Sequence, residues 1–142
     1  MTERRPSPVV ALVAAAGSWE ARLTADLRDL GLTTRRLGLL AHLEALPDLS
    51  FSELARRTGI TVQSAHTAVR QLASDGLVDD ATAHAGTRSM LRLTDRGRAV
   101  LAAAEERVAA LDATLAAEQP ALAAALADVR PSTADTPADA SA

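Results

Sequence analysis

The apolar side chains of this chain are almost all small or aliphatic, which limits the core that one copy can build. Alanine is the commonest residue, and although 48% of the 142 residues are hydrophobic, only Trp19 and Phe51 are aromatic. A small side chain removes little apolar area from water, so a domain of this size and composition has a thin core. The sequence therefore favours a helical protein that completes its core against a second copy of itself.

The groups that catalysis and metal binding require are missing or scattered. The chain has no cysteine, which excludes disulfides and thiolate chemistry. Its histidines, His42, His66 and His84, lack the spacing of metal ligands, and the sequence contains no serine triad, phosphate loop or paired carboxylates. No apolar run reaches the ~20 residues that span a bilayer. We therefore predict a cytoplasmic protein that is not an enzyme, binds no cofactor or metal, and makes no membrane contact.

Apolar residues recur at intervals of three and four along most of the chain, which is the period of an amphipathic helix. One such segment occupies about residues 8–29 and ends at Gly31, and the next lies between Thr33 and Pro47. A long helix begins near Thr94, and its apolar stripe is as narrow as a helix-pairing seam. We expect the outer helices to pair two copies of the chain through Leu12, Leu101, Val108, Leu111, Leu115 and Leu122.

Two short helices joined by a glycine-containing turn form the most informative motif. Residues 50–53, SFSE, are a capping box that opens a helix over 51–58, and Gly59 ends this helix. Only two residues later Thr61 caps a second helix, which runs to the stop at Gly76. Helices of this length and spacing are typical of a helix-turn-helix, whose second helix enters a DNA groove.

The second helix of this motif separates apolar from polar side chains. One face carries Val62, Ala65, Val69 and Leu72. The other side has no acid between Gln63 and Ser74, and such side chains bond to base edges and phosphates without repulsion. A merely solvated helix face is the alternative. His66 lies toward the packed side, where it is structural or contacts a phosphate. We predict that the groove is contacted by Gln63, Ser64, Thr67 and Arg70.

After Gly76 the pattern becomes that of a β-hairpin, with strands at Leu77-Val78 and 90–93 around a polar segment that includes one glycine. Arg88 in this wing is expected to approach a minor groove or a phosphate, the alternative being an exposed loop arginine. Residues 33–98 carry nine arginines against seven acids, although the whole chain has a net charge of −3. A contact with a polyanion is therefore local. We expect at least one of four further arginines to touch the DNA backbone: Arg35, Arg36, Arg56 and Arg57.

This order of elements resembles the MarR family of winged helix-turn-helix transcription regulators over roughly residues 10–128. The segments that carry the resemblance are FSELARRTGIT in the motif, QLASDGLV into the hairpin and LRLTDRG into the long helix. The resemblance implies a mainly α fold (α+β minor), a winged helix-turn-helix whose N- and C-terminal flanking helices form a dimerisation lobe. We accordingly divide the chain into a flexible arm (1–7), a dimerisation helix (8–32), a DNA-binding lobe (33–98), C-terminal dimerisation helices (99–129) and a disordered tail (130–142).

Two positions depart from the family pattern. Gly86 stands where many wings carry an aspartate two residues before the arginine, and His66-Thr67 replaces the usual Thr-Arg of the recognition helix. The family also implies a pocket for a small organic anion, with Trp19 and His42 as candidates in this chain. We favour the simpler interpretation that Trp19 fills the core and that His42 is a partly exposed surface residue.

The sequence therefore predicts a sequence-specific transcriptional repressor that binds double-stranded DNA as a homodimer. Its operator is expected to be pseudo-palindromic, with half-sites about one helical turn apart, and a small organic effector is expected to release it. Two other hypotheses remain open. The atypical wing is compatible with a degenerate winged-helix dimer that binds a protein partner, and Trp19 with a small-molecule-binding protein that has no role on DNA.

Overall fold

The computed structural model describes residues 5, 7–81 and 90–129. Within these ranges the chain forms six α-helices, one 3-10 turn (Arg28–Leu30) and a two-stranded hairpin. The hairpin strands are β1 (Val78–Ala81) and β2 (Met90–Leu93). The predicted mainly α fold with a β-hairpin wing is confirmed. In chain order the helices are α1 (Pro8–Leu27), α2 (Thr34–Ala45), α3 (Phe51–Thr58), α4 (Val62–Ser74), α5 (Asp95–Glu118) and α6 (Pro120–Ala127).

The helices begin and end at local signals that the sequence carries. Gly59 and Gly76, which end α3 and follow α4, have φ values of 69° and 74°, a left-handed conformation that glycine adopts without steric cost. At Ser50 the predicted capping box is complete, because the Glu53 carboxylate also accepts from the Ser50 amide at 3.0 Å. Four helices begin after a residue whose side-chain oxygen accepts a hydrogen bond from the amide three residues on: Thr33, Ser50, Thr61 and Thr94.

The winged lobe is built around aliphatic side chains of α2, α3, α4 and the hairpin. The strands pair antiparallel, with Val78 opposite Leu93 and Ala81 opposite Met90. Leu49 forms an isolated bridge with Leu91, so the loop between α2 and α3 lies beside the base of the wing. The wing tip, including Gly86 and Arg88, lies outside the described residues, as does the predicted tail. The largest fully buried side chains are Leu27, Leu39, Leu40, Leu43, Leu54, Leu72, Leu91 and Val69.

The segment LRLTDRG connects the wing to α5. Leu91 and Leu93 are buried on one face of β2, while Met90 and Arg92, which alternate with them, are exposed. The Thr94 hydroxyl accepts a hydrogen bond from the Gly97 amide at 2.9 Å and donates one to the Gly76 carbonyl at 2.6 Å. One threonine therefore caps α5 and also ties its first turn to the end of α4.

Helix α1 packs against α5 within the same chain, which changes the interpretation of the apolar stripe on α5. Val108, Leu111 and Leu115 are half-buried and line a slot with Trp19 of α1. Leu101 is only 3% exposed in the core of its own chain. Its predicted place in a dimer seam is wrong, because a side chain that is already buried leaves no surface for a second copy.

Other large apolar side chains remain exposed near both ends of the described chain. Leu122 of α6 is half-buried. In α1 and around α6 the exposed group consists of Val9, Val10, Leu12, Val13, Leu126 and Val129. Among the described residues no helix combines the length and the apolar character that crossing a membrane would require.

Candidate nucleic-acid interface

Helix α4 presents its polar side to solvent because its apolar side is anchored in the core. Ala65, Val69 and Leu72 are fully buried. The exposed or half-exposed positions of α4 include all four residues predicted to face the groove: Gln63, Ser64, Thr67 and Arg70. No acid lies among them, so their surface does not repel a polyanion.

Three hydroxyls at the N-cap and in the first turns of α4 are partly engaged within the helix. The Thr61 hydroxyl accepts from the Ser64 amide at 3.1 Å and donates to the Ser64 hydroxyl at 2.9 Å. The Thr67 hydroxyl donates to the Gln63 carbonyl at 3.1 Å. Within the described part of the chain, no hydrogen bond or ion pair involves the side chains of Gln63 and Arg70. These two long side chains therefore have the most donors and acceptors left for a ligand.

His66 lies on the packed side of α4, as its position in the sequence indicates. Its ring stacks on that of Phe51, the first residue of α3, with centroids 3.7 Å apart and planes inclined by 21°. Phe51 is buried and His66 is half-buried, so the stack fixes how α4 is set against α3. This contact gives His66 a structural role in packing α4 against α3.

Val62 differs from the sequence expectation. The pattern places it on the buried face, but the side chain is 44% exposed. Val62 is the first residue of α4 after the Thr61 cap, so the helix turn that would cover it is absent. The periodicity of the apolar residues does not signal this exposure, whereas the adjacent cap does.

The paired arginines at the start of α2 have different environments. Arg35 is exposed. Arg36 donates to the Gly31 carbonyl at 2.8 Å and forms an ion pair with Asp75, which follows α4, and its side chain is 21% exposed. Arg36 is one of the four arginines of which at least one is predicted to touch the DNA backbone, and in this structure its donors hold the end of α4 against the turn before α2.

Arg35 and Arg57 line one groove between α2 and the α3–α4 turn, with a volume of about 510 Å³. Leu39 and Ile60 also line it, as does His42, whose Nδ1 donates to the Gly38 carbonyl at 2.7 Å. Arg56 is exposed on the same last turn of α3. The groove thus combines two guanidinium groups with an apolar floor, which suits an anion with an apolar body.

Trp19 lies elsewhere, in a slot of about 140 Å³ between α1 and α5 that is lined mainly by aliphatic side chains. The Arg22 guanidinium lies 4.4 Å from the Trp19 ring centroid and also pairs with Glu118 at 3.1 Å. The structure therefore does not bring the two ligand candidates of the sequence, Trp19 and His42, into one pocket.

The sequence gives no signal for the ion pair that flanks the wing. Arg92 on β2 donates to both carboxylate oxygens of Asp48, at 2.6 and 2.9 Å. These hydrogen bonds hold the pKa of Asp48 below its usual value. Asp48 has a φ of 68°, which places this non-glycine residue in the left-handed region. In the described residues no group of three or more histidine, aspartate or glutamate side chains is arranged to hold a metal ion.

A comparison with known proteins finds relatives of this chain. A model of the MarR family matches residues 30–88. The HTH-type transcriptional repressor Rv2887 of Mycobacterium tuberculosis is 38% identical over 96 residues, which are 67% of this chain and 69% of the relative. The repressor Mb2911 of Mycobacterium bovis matches equally well.

Solved structures share the fold. The Rv2887 protein in complex with DNA is 33% identical, with a TM-score of 0.68 over 82% of this chain and 89% of that one. The same protein with salicylic acid is 32% identical, with a TM-score of 0.63 over 84% and 89%. MepR of Staphylococcus aureus is 16% identical with a TM-score of 0.72 over 80% and 84%, a likeness of fold alone.

Proposed function

This chain belongs to the MarR family, and we propose that it is a transcriptional repressor whose helix α4 reads the major groove of an operator. The observation that carries this proposal is the acid-free polar surface of α4, on which Gln63 and Arg70 keep their side chains available. Exposed arginines on neighbouring helices, Arg35, Arg56 and Arg57, supply charge for the phosphates on either side. The Rv2887 relative, solved with DNA, supports the same role.

The repressor acts as a homodimer in this proposal. The exposed apolar residues of α1, and those in and just after α6, are large side chains that a second copy would cover, and covering them would add to the thin core of each chain. A two-fold dimer carries two copies of α4, so its operator is pseudo-palindromic with half-sites about one helical turn apart.

A small aromatic carboxylate is the proposed effector. The Rv2887 relative has been solved with salicylic acid and with p-aminosalicylic acid. In this chain the groove that contains Arg35 and Arg57 offers guanidinium groups for a carboxylate and an apolar floor for a ring. The same two arginines are candidate phosphate ligands, so effector and DNA would compete for them.

The proposal is tested by selecting bound fragments from a random DNA pool with the full-length chain. We expect one pseudo-palindrome to be enriched and its affinity to fall steeply with salt concentration, because phosphate contacts release counterions. Arg70→Ala should lower the affinity for this site about 5- to 150-fold for each half-site, the range for loss of one base contact. Arg22→Ala, the control, removes the same charge from the α1–α5 side and should leave affinity unchanged.

Failure to enrich any sequence, together with binding that does not depend on salt, would contradict the proposal. That outcome would favour the second candidate function, a winged-helix dimer that binds a protein partner. If a sequence is enriched but Arg70→Ala and Arg22→Ala lose the same amount of affinity for it, Arg70 would lie outside the interface.

A further inference from the structure

One apolar side chain is exposed on the DNA-binding helix itself. Val62 is 44% exposed, whereas the other large apolar residues of α4, Val69 and Leu72, are fully buried. Apart from α1 and the segment from α6 to Val129, the large apolar side chains exposed in the described ranges are Val62 and Met90. The exposure of Val62 therefore does not belong to the apolar surface of α1 and α6.

The position of Val62 in α4 is one that approaches base edges. It directly follows the Thr61 cap, and Gln63 beside it is exposed and free of partners among the described residues. The first residues of a recognition helix enter the major groove ahead of the rest of the helix. A side chain here meets bases when α4 is docked.

A valine cannot hydrogen-bond, so it can discriminate bases only by apolar contact. In the major groove the C5-methyl of thymine is the apolar feature of the base edges, whereas the other edges present donors and acceptors. The hydroxyls of Thr61 and Ser64 are hydrogen-bonded to each other in the same turn, and the valine side chain is the apolar group exposed beside Gln63.

We propose that Val62 is a specificity-determining residue that recognises a thymine by contact with its C5-methyl group in each half-site. The proposal rests on the proposed function of α4 and adds a base preference to it. In this proposal the exposed Val62 side chain contributes to sequence specificity. The arginines cannot do so through the phosphates, because phosphate contacts carry no sequence information.

The experiment uses the full-length chain and the operator selected from the random pool. Each thymine is replaced in turn by deoxyuridine, which lacks only the methyl group, and the dissociation constant is measured at one fixed salt concentration. We expect a loss of about fourfold at one symmetric position per half-site, the ratio that burial of one methyl-sized group supports. Replacing both symmetric thymines should lower the affinity about fifteenfold.

Val62→Ala should bind the thymine and uracil operators equally at that position, and because the side chain is exposed the variant should keep its thermal stability. Arg70→Ala is the matched control on the same helix: it should bind more weakly yet keep the thymine-to-uracil ratio. A wild-type protein that tolerates uracil at every position would overturn the inference, as would an unchanged ratio in Val62→Ala. Both results leave the proposed function standing, whereas a pool without any enriched site would remove that function itself.

Discussion

At position 97 only glycine leaves room for the backbone that passes it. A Cβ on Gly97 would stand 2.0 Å from the Leu77 carbonyl oxygen and 3.0 Å from the Leu77 carbonyl carbon. These are backbone atoms, and the Leu77 oxygen also accepts from the Thr94 amide at 3.1 Å, so they cannot move aside alone. Steric hindrance by the Leu77 backbone therefore explains why the last residue of the LRLTDRG segment is glycine.

Gly97→Ala should therefore lower the free energy of unfolding by about 1–3 kcal/mol, the usual cost of overpacking. Gly38→Ala is the matched control in α2, where an added Cβ meets no heavy atom within 4 Å beyond the backbone of its own helix and its chain neighbours. That change should instead stabilise the helix by about 0.5–1 kcal/mol. Urea unfolding of both variants checks the contrast, and equal effects would contradict the steric explanation.

The pair of Asp48 and Arg92 gives stability a defined pH dependence. Hydrogen bonds from Arg92 lower the pKa of Asp48 from the 3.8 of an unperturbed carboxyl, and those from Arg107 do the same to Asp29. A carboxyl whose pKa is depressed in the folded state stabilises the fold above its unfolded pKa. This contribution is lost as the pH falls through the folded pKa.

We expect Asp48→Asn to be less stable than the wild type at pH 7 and the difference to shrink below about pH 4. Asparagine tolerates the left-handed conformation at this position, so the change removes the charge without adding backbone strain. Arg92→Gln should behave in the same way, and the double variant should lose no more than either single one. A difference that persists unchanged at pH 2 would assign the effect to something other than the ion pair.

Among the secondary-structure elements, α2 carries two consecutive arginines with different contacts and different expected roles. Arg36 fastens the end of α4 to the turn before α2, through Asp75 and the Gly31 carbonyl. Arg35 faces the groove and is exposed. Adjacent residues on a helix point about 100° apart, so one is directed inward when the other faces solvent.

Arg36→Gln should lower the free energy of unfolding by about 1.5 kcal/mol, the lower end for hydrogen bonds to charged groups, since Asp75 stays half-exposed. Arg35→Gln should change stability by less than about 0.5 kcal/mol but weaken DNA binding and reduce its salt dependence. Thermal unfolding and a salt titration of both variants separate the two roles. If Arg35→Gln were the less stable variant, the roles would be reversed.

For the whole molecule, the proposed dimer depends on the exposed apolar surface of α1 and α6. Leu12 is 56% exposed within one chain, so Leu12→Glu should leave the protomer folded. At an interface the new charge would be desolvated without a partner, weakening the dimer by more than about 100-fold. Sedimentation should find the wild type near twice its 14.7 kDa chain mass and the variant near one.

Ala41→Glu is the control for this change, because Ala41 is exposed on α2 in the winged lobe. It adds the same charge and should remain a dimer. A wild type that sediments as a monomer at micromolar concentration would contradict the proposed homodimer, because two half-sites need two chains.

The secondary-structure elements and their order could be predicted from the sequence. Helix caps such as Thr61, and glycines such as Gly59 and Gly76, act over three or four residues, so their effect can be read locally. The separation of polar and apolar faces on α4 follows from the helical period in the same way. The candidate groove residues Gln63 and Arg70 could therefore be predicted before any tertiary contact was known.

Which side chains are already buried or paired within the chain depends on the packing of distant residues, and the sequence pattern did not predict it. Arg35 and Arg36 are equivalent in the sequence, and what separates them is Asp75, 39 residues away. Leu101 lies in the same apolar stripe as Leu111. The packing of other elements nevertheless buries Leu101 in its own chain, so it cannot contact a second copy. Val62 is exposed because α4 begins there and nothing described covers it. Burial and pairing are long-range properties, since they depend on residues that the fold brings together and the local pattern does not contain.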